Sequence, residues 1–574
     1  MSESGMAAGV DTLPTLGALL RARRGLGDAD AVVFPDSRLS YAQLEASARE
    51  WAKALIAAGV APGEHVGLLF NSHPDFVVAM FAIAMAGAVS VPINARYQSN
   101  ELAYLIENAD LVALILDGAP NPVVNFAERL RAALPSLSSQ DQAAARLDSP
   151  EAPRLRRLIT TGSASAGFTG LEDFLAAGAS TSIETVDARI DAVSNDDIGL
   201  ILYTSGTTSN PKGCLLAHRS MVGNARSLAR RYRINAGDRF WSPLPIFHIA
   251  GILPLTAAMY AGAAYLTVRH FEAGEALAML DDEHATHTYP CFVTIMQDLI
   301  NHPNFSRTDL SRVRLMNSNL AVQPPWITEA IATAMPHALQ VGTYGLTEGS
   351  GVICTSRPED PYRLRTGRLG APMEEWEVRI IDPETGEPAP PGIHGEIIAR
   401  GPNAMRGYYR DPVKTAETLD ADGWMHTGDI GSLDEAGHIM FHGRLKDMLK
   451  VGGENVAAAE IEAVLDTHPA VRLSQVVGVP DPRYAEVPAA FVELKAGAAA
   501  TEAELIAYVD GKIARFKIPR LVRFVAEWPM SATKIQKFAL RDRLLAEFEG
   551  VDAAAGPAAQ NRASAPSPRS MAPR

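Results

Sequence analysis

The chain has 574 residues, of which 47% are hydrophobic and 21% charged, and its formal net charge is −14. That length exceeds one small core and predicts two or more domains of a soluble, globular kind, while an acidic balance without a basic block disfavours a nucleic-acid partner. Three scattered cysteines (Cys214, Cys291 and Cys354) suggest neither a disulfide framework nor a zinc site, and Met1 to Leu13 has no apolar core of a secretory signal, so a reducing, cytoplasmic location is expected.

In chain order, Leu44, Ala48, Trp51, Leu55 and Ala58 recur at spacings of four and three and predict an amphipathic helix ended by Gly59. A buried strand follows at Val66–Phe70, and the apolar stretches Phe76–Ile93 and Ile249–Val268 lack charge over a membrane-like length. Gly87, Pro92, Gly251, Pro254 and Gly262 interrupt them, so each is expected to be a buried helix, a glycine turn and a buried strand, with no membrane span. Another strand is expected at Leu111–Leu116. Helix alternating with buried strand predicts an α/β fold: a large N-terminal domain of mainly parallel sheets packed with helices. From Asp117 to about Leu158 the pattern weakens into an expected surface insertion, and it resumes near Ile198. Beyond Lys446 helices are expected at Ala457–Leu465 and Glu502–Ile513, with strands at Gln475–Val479 and Ala489–Leu494. This is the texture of a small α+β domain, so the expected division is 1–445, 446–550 and a disordered Ala/Pro/Ser-rich tail, 551–574.

The strongest local signal is Tyr203-Thr-Ser-Gly-Thr-Thr-Ser-Asn-Pro-Lys-Gly213, which follows the apolar run Ile198–Leu202. Hydroxyl groups, backbone N–H groups and a lysine on a loop after a strand suit a polyphosphate. The order Lys212-Gly213 excludes a Walker A motif, which ends in Gly-Lys-Ser/Thr. Four further segments stand out: Thr343-Tyr-Gly-Leu-Thr-Glu348, Gly423-Trp-Met-His-Thr-Gly-Asp429, the run Gly443–Asn455, and Pro529-Met-Ser-Ala-Thr-Lys534. Taken singly, each has an ordinary structural reading as a strand end, a capping turn or a surface lysine.

Taken together and in this order, they resemble the adenylate-forming superfamily, which contains acyl-CoA synthetases, peptide-synthetase adenylation domains and firefly-type luciferases. The resemblance runs from about Leu39 to Leu545. It implies an AMP-forming acid–CoA ligase that uses ATP, Mg²⁺ and coenzyme A. In that family the phosphate loop would be Thr204, Ser205, Gly206, Thr207, Thr208 and Lys212, with Ser318, Asn319, Thr343, Tyr344, Gly345 and Thr347 around the nucleotide. Glu348 and Thr204 would hold the metal, and Asp429 and Arg444 the ribose. Lys446 would be the hinge of a mobile small domain. That domain would bring Lys534 to the site for adenylation, and Lys450, Gly452 and Gly453 for thioester formation.

His248, in Pro243-Leu-Pro-Ile-Phe-His248, stands where peptide-synthetase domains carry an aspartate for the substrate amine, which disfavours an amino acid and implies a gating histidine. By position, Tyr289, Cys291, Phe292, Asn317 and Val352 would line the acyl pocket. Three positions depart from the family pattern: Ser209, the run Met316-Asn-Ser-Asn-Leu320, and Thr533. All three bear on adenylation rather than on the thioester step. The alternatives are therefore a ligase acting mainly on a preformed acyl-adenylate, or a stand-alone adenylation enzyme loading a carrier protein. The expected partners are a carboxylic acid and coenzyme A, with a homodimer as the default assembly.

Overall fold

A computed structural model describes residues 13–118, 124–139, 146–204, 211–319, 325–451, 454–481, 484–530 and 535–554. The chain divides into two compact units, Met1–Phe441 and His442–Arg574.

Helix Tyr41–Ala57 in the first unit shows how local signals become structure. Ser40 caps it reciprocally: the Gln43 N–H donates to Ser40 Oγ at 3.2 Å, and the Ser40 N–H donates to Gln43 Oε1 at 2.9 Å. Its Leu44, Ala48, Trp51 and Leu55 face is buried, and the chain leaves the helix through Gly59 at φ +80°. Both charge-free stretches resolve as the residue pattern predicts. Helix Pro74–Met85 turns at Gly87 (φ +74°) into strand Val89–Pro92, and helix Ile249–Ala261 turns at Gly262 (φ +74°) into strand Ala264–Leu266. Among the described residues no helix is long and apolar enough to cross a membrane.

Two large sheets organise this unit. In the seven-stranded sheet, His65–Leu69 pairs in parallel with Val89–Pro92 and Leu111–Leu116, and the parallel run continues to Arg157–Thr160 on one side and Ile198–Thr204 on the other. Lys212–Ala217 closes that second edge antiparallel to Ile198–Thr204. In the nine-stranded sheet the parallel centre includes Arg239–Trp241, His287–Thr288, Leu315–Asn319 and Leu339–Leu346, and Gly351–Thr355 returns antiparallel along the last of these. Strands buried on both faces read as continuous apolar runs, which is why Leu111–Leu116 is fully buried. A four-stranded sheet comprises Glu377–Ile381, Gly395–Arg400, Met425–Leu433 and Ile439–Arg444.

One expectation needs correction. The stretch 117–158 is not wholly a surface insertion: helix Phe126–Ala133 buries Phe126 and Leu130, and Leu134 and Leu137 follow it into the core. Its sparse apolar residues fall at helical spacing, a signal diluted by the Ala, Ser and Pro around them. The chain has already rejoined the sheet at Arg157–Thr160.

In the second unit Val471–Asp481 and Ala485–Leu494 form a long antiparallel pair, and Leu521–Phe524 adds in parallel. Alternation places Val476 and Val492 in one core with helices Ala458–Leu465 and Glu502–Val509, and Val477, Val479 and Phe491 in another with Leu540 and Leu544 of helix Lys537–Ala554. The helix expected through Ile513 stops at Val509, because the Lys512 N–H turns back to the Val509 carbonyl and Gly511 takes φ +78°. Of the expected tail, 551–554 close the last helix and 555–574 lie outside the described residues. The mixed α/β class, with a large parallel-sheet domain and a smaller C-terminal one, is as the sequence implies.

Candidate active site

The edge hairpin brings the first group together. Thr204 ends its strand in register with Lys212, and Cys214 lies two residues further on. The buried Cys214 thiol lies beside the side chains of Thr204 and Glu348; burial first, and then the Glu348 charge, push it well above its ordinary range. Glu348 sits in the turn Thr347–Gly349 at the end of strand Leu339–Leu346 of the other large sheet. A hydroxyl, a carboxylate and a lysine from two sheets therefore converge on one edge.

Segment 405–409 stitches this edge. The Met405 N–H donates to the Glu348 carbonyl at 2.8 Å, the Leu215 N–H to the Gly407 carbonyl at 2.9 Å, and the Tyr409 N–H to the Gly213 carbonyl at 2.8 Å. Within it the Tyr408 hydroxyl donates to Glu348 Oε1 at 2.8 Å, and Lys212 Nζ lies 5.3 Å from the centre of the Tyr408 ring. The Glu348 turn is braced from behind. Asn224 Nδ2 donates to the carbonyls of Gly349 (3.2 Å) and Ser350 (2.8 Å), and Ser350, in the left-handed region at φ +55°, donates through Oγ to the Asn403 carbonyl at 2.7 Å.

A second group lies four residues back along the same strand. The Tyr344 hydroxyl donates to Asp429 Oδ2 at 2.9 Å, and both side chains are only 3% exposed. Burial, with the Asp429 charge adding to it, pushes the Tyr344 phenol up. The turn that presents Asp429 is held by Glu396, which accepts from the Gly428 N–H at 3.0 Å and lies 3.0 Å from His426 Nδ1. Gly345 is required here: a Cβ would come within 1.9 Å of the Gly351 carbonyl oxygen.

A third group is a buried polar network. Asn317 Nδ2 donates to Tyr232 Oη at 2.8 Å and to Thr343 Oγ1 at 2.5 Å, and the Tyr232, Thr343 and Thr355 hydroxyls lie 3.0–3.2 Å apart. Asn317 and Thr343 thus serve the wall behind Tyr344. Tyr289 lies nearby, its ring 6.5 Å from that of Tyr232. Cys291 takes φ +58°, and its N–H donates to the Asn317 carbonyl at 3.2 Å. Ser318 and Val352 are buried, Phe292 is half-buried, and Asn319 ends strand Leu315–Asn319. His248 precedes helix Ile249–Ala261, its carbonyl accepting from the Gly251 and Ile252 N–H groups at 2.9 and 3.0 Å, with its ring 4.8 Å from that of Phe247.

In the second unit Arg444 ends a strand, Lys446 lies in the turn Leu445–Asp447, and Lys450 pairs in register with Asn455. Ser205, Gly206, Thr207, Thr208, Ser209, Gly452, Gly453, Thr533 and Lys534 lie outside the described residues. Sequence reasoning missed Tyr408, Glu396, Asn224 and Tyr232. Only the pair Gly407-Tyr408 hinted at a turn, and nothing in the spacing joins any of them to a motif.

Residues 20–409 match the AMP-binding enzyme family and residues 460–534 match the AMP-binding enzyme C-terminal domain. A putative acyl-CoA synthetase of Bacillus subtilis is 35% identical over 542 residues, covering 93% of this chain and 98% of that protein. A mitochondrial medium-chain acyl-CoA ligase of Rattus norvegicus is 33% identical over 527 residues, covering 90% and 85%. Among solved structures, an anthranilate CoA ligase in complex with anthranoyl-AMP superposes with a TM-score of 0.81 at 26% identity, covering 94% of this chain and 99% of that one. The chain belongs to the AMP-binding enzymes of the adenylate-forming superfamily and, within them, to the AMP-forming acid–CoA ligases. The matched family is described as AMP-binding, and the relatives are named as enzymes that join an acyl group to coenzyme A.

Proposed function

We propose that this ligase works in two steps at one centre: the acid attacks the α-phosphorus of ATP to form an acyl-adenylate and pyrophosphate, and the coenzyme A thiol then displaces AMP. The observation that carries the reading is the convergence of Thr204, Lys212 and Glu348 at one sheet edge, with the Tyr344–Asp429 pair on the strand leading into it.

Each residue then has a chemical task. The loop 204–212 donates hydrogen bonds and a cation to the phosphates, and Asp429 accepts from the ribose hydroxyls, with Arg444 on the same sugar. The oxygen donors of Thr204 and Glu348 fit a hard divalent cation. Among the described residues no group of three or more His, Cys, Asp or Glu side chains could hold a metal by itself, so phosphate oxygens would complete the coordination. Magnesium, when bound there, would offset phosphate charge as the acid attacks. Lys534 neutralises charge during adenylation. A turn of the small domain about Lys446 then exchanges it for Lys450 and Gly452-Gly453, which border the incoming thiol. Tyr289, Cys291, Phe292 and Val352 make an apolar, uncharged acyl site gated by His248. That chemistry suits a monocarboxylic acid, in keeping with the medium-chain acyl group named for one relative, and His248 in place of an aspartate disfavours the α-amine of an amino acid. A cytoplasmic homodimer is the proposed setting.

Two variants test this. Lys534→Ala should lose acid-dependent pyrophosphate exchange yet still convert a supplied acyl-adenylate to thioester, and Lys450→Ala should do the reverse. Equal loss of both half-reactions in both folded variants would sink the alternation. Full thioester formation from a supplied adenylate, with no exchange in the wild type across a panel of acids, would favour the preformed-adenylate reading that Ser209, Thr533 and Met316–Leu320 motivate.

A further inference from the structure

Tyr408 lies outside every motif assigned above, yet it touches both charged groups of the phosphate edge. Its hydroxyl donates to Glu348 Oε1 at 2.8 Å, and its ring faces Lys212 Nζ at 5.3 Å. The side chain is 9% exposed, and its place is set by backbone: Tyr408 bridges Cys214, its N–H donates to Thr415 Oγ1 at 2.8 Å, and the neighbouring Gly213 and Gly407 carbonyls are bonded into the same ladder. The ring therefore belongs to the sheet edge and not to a mobile loop.

A lysine and a carboxylate this close to one side chain would ordinarily close into a direct ion pair, which a nucleotide and its cation would then have to break. Among the described residues no ion pair joins Lys212 to Glu348. The aromatic face gives the ammonium an alternative partner, and the phenol gives one carboxylate oxygen an alternative donor. Tyr408 thus occupies one of the two carboxylate oxygens, Oε1.

We propose that Tyr408 is a positioning residue for the metal–phosphate edge: it holds Glu348 and Lys212 apart and aims the carboxylate before ATP arrives. This rests on the functional reading above and adds a residue to it. The consequence is a division of labour within one side chain, in which the hydroxyl acts on cation-dependent binding and the ring acts on the lysine that meets the phosphates.

The test is calorimetric titration of the full chain with ATP, once with Mg²⁺ and once with a chelator, reading the ratio of the two affinities. Tyr408→Phe keeps the ring and loses the hydroxyl. It should cut the Mg²⁺ enhancement about tenfold, the scale of one hydrogen bond to a charged group, while metal-free ATP binding stays within twofold. Tyr408→Leu loses both contacts and should, in addition, weaken metal-free ATP binding about threefold. Near-ultraviolet circular dichroism and urea midpoints establish that both variants are folded. A purely structural role would lower both affinities together and leave the ratio unchanged. The proposal is overturned if Tyr408→Phe keeps the wild-type ratio within twofold, or if the two variants behave alike. A wild type that binds no ATP under either condition would overturn the functional reading as well.

Discussion

Replacing Asp429 by asparagine isolates the charge of the carboxylate proposed to hold the ribose from its shape. Asp429 is 3% exposed and already accepts from the Tyr344 hydroxyl at 2.9 Å. Asparagine preserves that acceptor, so the fold should hold. The amide oxygen then has one lone pair left for a ribose diol and the NH2 cannot accept, so one diol bond is lost and the other weakens. Bonds to a charged acceptor contribute about 1.5–3 kcal/mol and bonds to a neutral one about 0.5–1.5, so the lost bond removes about 1.5–3 and the weakened one roughly 1–1.5 kcal/mol. Together they amount to about 2.5–4.5 kcal/mol, or roughly 60- to 1,500-fold in ATP affinity. Calorimetry with ATP and with 2′-deoxy-ATP makes the assignment specific. The wild type should discriminate against the deoxynucleotide by about tenfold, as expected for one charge-assisted bond, and Asp429→Asn should discriminate much less. Undiminished ATP affinity in the variant, or undiminished discrimination, would refute the assignment of Asp429 to the sugar.

Two predictions concern the scaffold of the same unit. His218 is 1% exposed, its Nδ1 accepts from the Leu16 N–H at 3.3 Å, and burial lowers its pKa to about 4 from an ordinary 6.5. The imidazole is thus neutral in the folded protein and takes up a proton near pH 6.5 only when unfolded. Its contribution is intact above about pH 6.5 and is lost progressively as pH falls toward 4, by up to roughly 3 kcal/mol. Urea unfolding followed between pH 7.5 and 4.5 should show a shallower decline for His218→Asn than for the wild type, and equal slopes would count against the argument. Gly345→Ala should prevent folding of the large unit or strongly destabilise it, because its Cβ would meet the Gly351 carbonyl oxygen at 1.9 Å. Gly437→Ala, with φ +77° but nothing within 4 Å, should cost only about 1–2 kcal/mol. A soluble Gly345→Ala protein with a wild-type unfolding midpoint would contradict the close approach of the two strands.

Some of this was legible in the residue order because its physical cause is local. The cap at Ser40, the glycine turns at Gly59, Gly87 and Gly262, and the period-two cores of the second unit depend on neighbours a few positions away. The candidate residues Thr204, Lys212, Tyr344, Glu348 and Asp429 likewise stand out in the residue order, each within a contiguous motif. Helix Phe126–Ala133 escaped notice because Phe126 and Leu130, with Leu134 and Leu137 just beyond it, make a weak periodic signal in a polar, alanine-rich setting, yet packing against a large core is enough to order them.

The order of residues by itself determined the family, the alternation of helix and strand, and which side chains are the candidates for the chemistry. Only the tertiary structure decided how those side chains are held: Glu348 by Tyr408, its turn by Asn224, the Asp429 turn by Glu396, and Asn317 by Tyr232. Each supporting partner lies tens to more than a hundred positions away in the chain and meets its target where sheets and helices pack. A hydrogen bond between such distant residues exists only once the intervening elements are in register, so it leaves no periodicity or spacing to read.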